Sequence, residues 1–278
     1  MPKGSRGGQG GGTFSGPTQG QLERWGQKGE GDSEVAESEN PFVRFRKYRK
    51  QFYALQSIEE VRAILDNNGV GMSNAFVNYV NKGEVGLEDA KQFIGGAMEV
   101  LSKFGGGDTF RGFNAARDSR AAAWYSPMSR TITMEPGIGR GYTGRVVGGG
   151  GKENAYTIGG HEAGHHISHM AAEGTGTQGK WKSRGWLSEY AVYTENVVNR
   201  AYERYKGSAS SNGGKPATRK AVMSGISTYA VSKGKSGRYM YGETVSEAIN
   251  DVWRNGLKAT RFSKEIYQVL RRDMRGLK

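Results

Sequence analysis

All four histidines of the chain fall within nine residues, at His161, His165, His166 and His169, and Glu162 directly follows the first of them. His161, Glu162 and His165 therefore spell His-Glu-x-x-His. On a helix, residues four apart project from nearly the same face, so two histidines can direct ring nitrogens at one metal ion while a carboxylate lies beside it. Such a carboxylate can take a proton from a water molecule at the metal. The pattern predicts a zinc-dependent hydrolase.

The alternative interpretation is a chance match, or a surface patch that binds metal adventitiously. The flanking sequence argues against it, because Asn154 can cap a helix, residues 155 to 173 contain no proline, and Gly174 can end the helix. One face also carries small and apolar residues at helical spacing, which would let another element pack closely. These residues are Tyr156, Gly160, Ala163, Gly164, Ile167 and Ala171.

The other two histidines are poor candidates for the same ion. His169 would stand roughly 12 Å from His161 along a helix. The pair His165 and His169 has His166, not a carboxylate, in the position of the base. The chain has no cysteine, so only histidine and carboxylate side chains remain as ligands. We therefore expect the third ligand to come from a distant part of the chain.

Glu243 and Glu247 lie four apart at the start of a predicted helix, so their carboxylates share a face. One can bind the metal while the other accepts a hydrogen bond from a ligand histidine, since a metal-bound imidazole usually donates its second N–H. The alternative is a solvated acidic helix start, which the helix dipole also favours. Spacing alone does not decide between these interpretations.

The formal net charge is +13 and is unevenly distributed. Residues 1–40 are glycine-rich and carry −2, so the remainder carries +15. We predict a disordered tail over 1–40 and one domain over 41–278, with an N-terminal helical part (41–107) and a catalytic core (108–278). No signal peptide or membrane-spanning run is visible, so we expect a soluble cytoplasmic protein without membrane contact.

Basic and aromatic residues alternate in the segment Arg44-Phe45-Arg46-Lys47-Tyr48-Arg49-Lys50. Contact with nucleic acid is one interpretation of this cluster, and the exposed start of an amphipathic helix is the other.

Hydrophobic periodicity predicts a mainly helical α+β fold. Expected helices include 58–65, a short one around 75–80, 87–104, 155–173, 187–205 and 263–274. Residues 120–126 and 131–135 predict a β-hairpin, and hence a small antiparallel sheet, before the metal-binding helix. A polar linker is expected at 208–215 and a glycine-rich loop at 137–152.

The chain resembles a known family at three places. These are His161-Glu-Ala-Gly-His165, Ser227-x-Tyr229-Ala230 and Glu243-x-x-x-Glu247-Ala248. Together they are similar to the Glu-zincin metallopeptidases, a group that includes anthrax lethal-factor-like peptidases and phage minor-head-associated metallopeptidases. The resemblance covers residues 57 to 274, and only the His-Glu-x-x-His part is highly specific.

The resemblance implies a zincin-like fold and one zinc ion per chain. It implies that His161, His165 and Glu243 ligate this ion, that Glu162 is the general base and that Glu247 supports a ligand from the second shell. It also implies a tyrosine that donates to the oxyanion. Tyr229 has the matching neighbours, but Glu243 follows it by fourteen positions, more than the family usually has. Tyr239 and Tyr241 have the closer spacing, so all three remain candidates.

The function expected from these observations is zinc-dependent hydrolysis of a protein or peptide substrate, by a phage-encoded enzyme of the host cytoplasm or virion. Lys233, Lys235 and Arg238 lie between the tyrosine and Glu243, which favours substrates with acidic residues. Two alternatives are a catalytically silent zincin with a structural or virion-associated role, and a nucleic-acid-binding protein whose metal site only stabilises the fold. Glu162 argues against the first, and salt-sensitive DNA binding would favour the second.

Overall fold

Nine helices and six short strands make up the part of the chain that the computed structural model describes, namely residues 41–105, 109–117, 121–137, 146–147, 151–175, 186–211 and 215–275. The predicted tail at residues 1–40 lies outside these ranges. The helices are α1 (Pro41–Ala54), α2 (Ile58–Asp66), α3 (Asn74–Asn81), α4 (Leu87–Phe104), α5 (Ala155–Gly174), α6 (Trp186–Ser211), α7 (Arg219–Ser224), α8 (Tyr241–Asn255) and α9 (Arg261–Met274). The strands are β1 (Gly71–Met72), β2 (Gly112–Ala115), β3 (Ala123–Ser126), β4 (Thr131–Met134), β5 (Val146–Val147) and β6 (Gly151–Lys152).

The main sheet has four strands in the order β1-β2-β4-β3 and is mixed rather than antiparallel. The predicted hairpin is present as β3 and β4, with Tyr125 opposite Ile132. The predicted small antiparallel sheet is thus limited to this hairpin, because β2 adds to β4 in parallel and β1 adds to β2 in parallel. These two strands are two and four residues long, too short to show the alternation of polar and apolar residues that marks a strand in sequence.

Most of the expected helices are confirmed to within a few residues at their ends. The largest differences concern residues expected to be irregular. Helix α6 continues to Ser211, into the predicted linker, and residues 212–214 lie outside the described ranges. Within the predicted glycine-rich loop, β5 and β6 pair as a small antiparallel ribbon, and residues 138–145 and 148–150 are not among those described.

Helix α5 lies at the centre of the helical layer and packs against α4, α8, α9 and strand β3. Two glycines permit the contact with α4. A Cβ atom on Gly96 would lie 2.0 Å from the carbonyl oxygen of Tyr156, and one on Gly159 would lie 1.9 Å from that of Phe93. Because the two backbones touch, α4 serves as a rigid support along the back of the helix that carries all four histidines.

The hydrophobic core is continuous along the described chain. It runs from Phe45 and Phe52 in α1, through α4 and the sheet, to Trp253 in α8 and Leu270 in α9. Residues from both predicted parts of the domain therefore share one core. No helix in the described ranges combines the length and apolar character needed to cross a lipid bilayer.

Candidate metal centre

Helix α5 begins at a well-formed cap, which sets the orientation of the residues that follow. The Asn154 side chain accepts a hydrogen bond from the Thr157 N–H, and the Thr157 side chain reaches back to the N–H of Asn154. This reciprocal pair satisfies two N–H groups that the helix itself cannot. His161 and His165 follow on one face, and their ring centroids lie 4.9 Å apart.

Helix α8 approaches this face closely enough to bring its carboxylates to the histidines. A Cβ atom on Gly164 would lie 2.5 Å from Ser246 Oγ, and the Ser246 hydroxyl donates to the backbone carbonyl of His161. One turn earlier, Gly160 leaves room for the ring of Trp253. The small residues predicted to permit close packing therefore do so, and the helix they admit is the one that bears Glu243 and Glu247.

His161, His165 and Glu243 converge on one point. The Nε2 atoms of the two histidines lie 3.0 and 3.4 Å from Glu243 Oε2, and each residue offers a ligand atom within 4.8 Å of the others. Ligand atoms about 2.0–2.1 Å from a tetrahedral zinc ion are separated by about 3.3 Å. The two distances to Glu243 Oε2 are close to this value, so the three residues could hold a metal ion.

Each histidine has a further partner at its other ring nitrogen. Glu247 Oε1 lies 2.6 Å from His161 Nδ1, and the Tyr190 hydroxyl lies 3.5 Å from His165 Nδ1. The Tyr190 hydroxyl is itself hydrogen-bonded to Ser168. Both rings therefore turn Nε2 towards Glu243 and Nδ1 towards a supporting side chain, the arrangement that orients histidine ligands in metal sites.

Sequence reasoning did not identify Tyr190. It lies in α6, far from any recognisable motif, and only the packing of α6 beside α5 brings it to His165. The spacing of Glu243 and Glu247 likewise left their roles open, whereas the geometry separates them: Glu243 faces both Nε2 atoms, and Glu247 contacts Nδ1 of His161.

The charges of the cluster stabilise each other. Burial alone would raise the pKa of Glu243, but the charge and hydrogen bonds of His165 and His161 outweigh it and hold that pKa well below its usual range. Burial alone would lower the pKa of His161, whereas the hydrogen bonds and charges of Glu243 and Glu247 raise it well above the ordinary value. A metal ion would have to displace a proton from His161, so its binding should strengthen as pH rises.

Glu162 is buried beside the cluster and is 7 % exposed. Burial raises the pKa of its carboxyl group, while His165, His161 and a hydrogen bond from the Tyr125 backbone N–H oppose that rise. Tyr125 lies in β3, which is an edge strand of the sheet. The strand therefore holds the Glu162 carboxylate in place through its main chain.

Tyr229 lies beside the first histidine, with its ring centroid 5.5 Å from that of His161. It begins a short 3₁₀ turn, Tyr229–Val231, in which the Ala230 N–H donates to Ser227 Oγ and the Ala230 carbonyl accepts from Thr244 in α8. The Thr244 bond ties the turn to the helix that carries Glu243. This explains why Tyr229 reaches the site despite its long separation from Glu243 in sequence.

The other two tyrosine candidates pack elsewhere. The rings of Tyr239 and Tyr241 lie 6.0 Å apart, and the Arg219 guanidinium lies 5.5 Å from the centroid of Tyr241. Within the described ranges, neither ring contacts His161 or His165. Of the three tyrosines considered from sequence, Tyr229 is the one that the structure places beside a ligand histidine.

His166 and His169 are not among the three residues of the metal cluster, and both contact a different residue. The Tyr125 hydroxyl lies 3.0 Å from His166 Nδ1 and 2.9 Å from His169 Nδ1. Beyond them, the Glu173 carboxylate lies 3.6 Å from His169 Nε2 and accepts a hydrogen bond from Arg130. We call His166, Tyr125 and His169 the tyrosine clamp. It joins α5 to the edge strand whose main chain contacts Glu162.

The basic cluster of α1 is partly turned inward. Phe45 is buried, and the Arg49 guanidinium lies 2.7 Å from the buried carboxylate of Glu99. Lys50 is exposed, and the side chains of Arg44, Arg46 and Lys47 lie outside those described. Arg49 is therefore already paired within the fold.

Comparison of the chain with protein-family models finds no match, and comparisons with curated proteins and with solved structures find none either.

Proposed function

We propose that this protein is a zinc-dependent peptidase of the Glu-zincin type, with zinc held by His161, His165 and Glu243. The observation that carries the proposal is the convergence of these three side chains, with ligand atoms within 4.8 Å of one another, next to the buried carboxylate of Glu162. A site that serves only to stabilise a fold is usually closed by a fourth protein ligand. Among the described residues, this cluster comprises three and has a carboxylate beside it.

Zinc in such a site supplies Lewis acidity, which makes water more acidic and polarises a carbonyl group. Glu162 then acts as general base, taking a proton from the attacking water and passing it to the leaving amine. Its burial suits this role, because a raised pKa makes the carboxylate a stronger base towards the water and brings its protonation closer to neutral pH, so that it can both take the proton and pass it on. The Tyr125 backbone lies close enough to the carboxylate to lower its pKa slightly, against the larger effect of burial.

Tyr229 is the proposed donor to the developing oxyanion. Its ring lies against His161, and it is only half-buried, so a substrate carbonyl could reach its hydroxyl. The Tyr190 hydroxyl is hydrogen-bonded to Ser168 and lies near His165. Tyr190 is therefore assigned a supporting role at His165, matching that of Glu247 at His161.

A polypeptide is the substrate class that the neighbouring strand favours. Among the described strands, β3 pairs with β4 on one side only, so its other edge can exchange main-chain hydrogen bonds with an extended peptide. Because Tyr125 in this strand also contacts Glu162, a peptide added there would run past the general base. A phage-encoded enzyme acting in the host cytoplasm or virion is the biological setting that the family resemblance suggests.

Two rival functions remain distinct from this proposal. A catalytically silent zincin with a structural or virion-associated role would bind zinc without cleaving peptides. A nucleic-acid-binding protein would need an exposed basic surface, and pairing of Arg49 with Glu99 removes one cation from the surface first considered for it.

The test combines metal analysis with cleavage of a mixed peptide library. The wild-type protein should contain about one zinc ion per chain and cleave the library, and Glu162→Gln should keep zinc and melting temperature but lose cleavage. Equal cleavage by both proteins would assign the activity to a contaminant or to another base. Zinc-loaded protein that cleaves nothing would favour the silent zincin.

A further inference from the structure

The segment that leads into the ligand Glu243 is free of acidic residues over an unusual length. Residues 204 to 242 contain eight lysines and arginines and no aspartate or glutamate. Three of the eight, Lys233, Lys235 and Arg238, fall in the last ten residues before Glu243. Positive charge is therefore concentrated in the part of the chain that immediately precedes a ligand.

These last residues form a closed loop, which we call the basic hairpin (residues 232–240). Lys233 and Tyr239 form an antiparallel bridge, the Met240 N–H donates to the Ser232 carbonyl over 2.9 Å, and the Gly234 N–H donates to the Arg238 carbonyl over 3.0 Å. Gly237 supplies the turn with a φ of +74°, which a residue with a side chain adopts only with strain. The additional residues between Tyr229 and Glu243 are thus an ordered projection.

Both ends of the basic hairpin are attached at the metal cluster. On one side it follows the turn of Tyr229, whose ring lies 5.5 Å from that of His161. On the other, the Met240 carbonyl accepts a hydrogen bond from the Glu243 N–H over 2.9 Å. With about four residues in each arm, at about 3.3 Å per residue, the tip can extend no further than about 13 Å from its base. The hairpin therefore begins and ends beside the metal cluster.

The charges on this hairpin are available to a ligand. Lys233, Lys235 and Arg238 are all exposed, and none makes an ion pair with a carboxylate of the described chain. At physiological salt their field acts over about 8 Å. Added to the hairpin's reach of about 13 Å, this distance covers about six residues of an extended peptide on either side of the bond at the metal cluster.

We infer that the basic hairpin selects polypeptides that carry aspartate or glutamate within about six residues of the cleaved bond. This inference rests on the proposed peptidase function. A peptide fits better than a nucleic acid, because bases would need open aromatic faces for stacking. The face of Tyr239 is covered by the Lys233 ammonium at 5.3 Å from its centroid, and that of Tyr241 by Arg219 at 5.5 Å.

The inference can be tested with two variants of equal charge change. Lys233→Gln/Lys235→Gln/Arg238→Gln neutralises the hairpin. The control, Lys50→Gln/Lys82→Gln/Lys258→Gln, neutralises three exposed lysines that are not part of the site. These lysines lie on α1, directly after α3 and in the short turn that follows α8. Peptide sets that differ only in glutamate, glutamine or lysine near the cleavage position are the probes. Relative kcat/KM is measured by mass spectrometry at low and physiological salt.

Three exposed charges of modest individual effect should together give about a tenfold preference for the glutamate peptide over its glutamine counterpart at low salt. The ratio should approach one in the hairpin variant and at high salt, and remain tenfold in the control variant. Peptide affinity can also be measured without turnover. Labelled glutamate and glutamine peptides are titrated with zinc-loaded Glu162→Gln protein, with and without the hairpin changes, and binding is followed by fluorescence anisotropy.

The outcomes separate the two claims. If the wild type cleaves peptides but both triple variants keep the same glutamate preference, the inference is wrong and the peptidase proposal stands. If no peptide is cleaved, the peptidase proposal fails, and selective binding of glutamate peptides through the hairpin would still support its selective role. If the hairpin changes abolish binding of a labelled single-stranded oligonucleotide and leave peptide binding intact, the partner is a nucleic acid and the inference is overturned.

Discussion

The hydroxyl group of Tyr125 lies 2.9 Å from Nδ1 of His169, one turn of α5 after His165 of the metal cluster. The same hydroxyl lies 3.0 Å from His166 Nδ1, and a single proton can be donated to only one of the two rings. If His169 Nε2–H faces Glu173, Tyr125 donates to His169 and accepts from His166. The helix thus uses two histidines for the metal cluster and two to hold the strand that contacts Glu162.

Tyr125→Phe should weaken activity without removing the metal. The ring remains, but the two histidines lose their common partner, which should destabilise the fold by about 1–3 kcal/mol. Because Tyr125 also contacts Glu162 through its main chain, we expect kcat to fall and KM to change little. Zinc content, thermal unfolding and steady-state kinetics measure the three effects, and Tyr267→Phe on α9 is a control for loss of a tyrosine hydroxyl. An unchanged kcat would show that the tyrosine clamp contributes to the stability of the fold and not to activity.

The four histidines should separate into two pairs in metal analysis. His161→Ala and His165→Ala should lose stoichiometric zinc, because each removes one of three ligands. His166→Ala and His169→Ala should retain it, although they weaken the clamp. The measurement is the zinc-to-protein ratio after dialysis against a weak chelator. Full zinc content in the His161→Ala protein would disprove the assignment.

Glu243 and Glu247 should differ in the size of their effect on zinc affinity. Glu243→Ala removes a ligand and should abolish tight binding, whereas Glu247→Gln keeps the ligands but loses a carboxylate 2.6 Å from His161 Nδ1, at a cost of about 10- to 100-fold in affinity. Competition with a fluorescent chelator gives both constants. If the larger loss occurred at Glu247, the two roles would have to be exchanged.

Tyr229 and Tyr190 should be distinguishable by kinetics. Tyr229→Phe should lower kcat by about 10²-fold at unchanged zinc affinity, since it removes an oxyanion donor. Tyr190→Phe should act mainly on zinc affinity, through His165. Tyr239→Phe and Tyr241→Phe serve as controls and should change neither quantity much. A loss of kcat confined to Tyr239→Phe or to Tyr241→Phe would instead assign the donor role to that tyrosine.

The metal-free protein should lose stability as pH falls from about 6.5 to 4, partly through His169. Burial, with a smaller contribution from the positive charge of Arg130, lowers the pKa of His169 to about 4. The unfolded chain therefore binds a proton at higher pH than the folded one, so acid favours unfolding in this interval. The free energy of unfolding should fall by up to about 3 kcal/mol between pH 6.5 and pH 4 through this group, and above pH 6.5 His169 should have no effect on it. His169→Gln should show a shallower dependence in chelator-treated samples unfolded by urea. Identical slopes for the two proteins would show that His169 titrates normally.

Local signals in the chain were sufficient to predict the metal-binding helix. Its cap at Asn154, its end at Gly174 and its face of small residues depend on neighbours within a few positions. The hairpin of β3 and β4 was predicted for the same reason. The parallel strands β1 and β2 were missed, because they are very short and their pairing joins segments about forty residues apart.

Within the candidate site, the amino-acid sequence by itself determined which residues could act as ligands and base: with no cysteine and all histidines on one helix, only His161, Glu162, His165 and an acidic residue from elsewhere had the required chemistry and spacing. Tertiary structure decided how they combine. The close approach of α8 at Gly164 turns Glu243 towards both Nε2 atoms and Glu247 towards Nδ1, and the position of β3 gives His166 and His169 a common partner in Tyr125. These relationships depend on contacts between residues tens of positions apart. Such contacts leave no periodic signal in the sequence, because the periodicity of a helix or strand shows only which of its faces is buried. It does not show which element packs against that face.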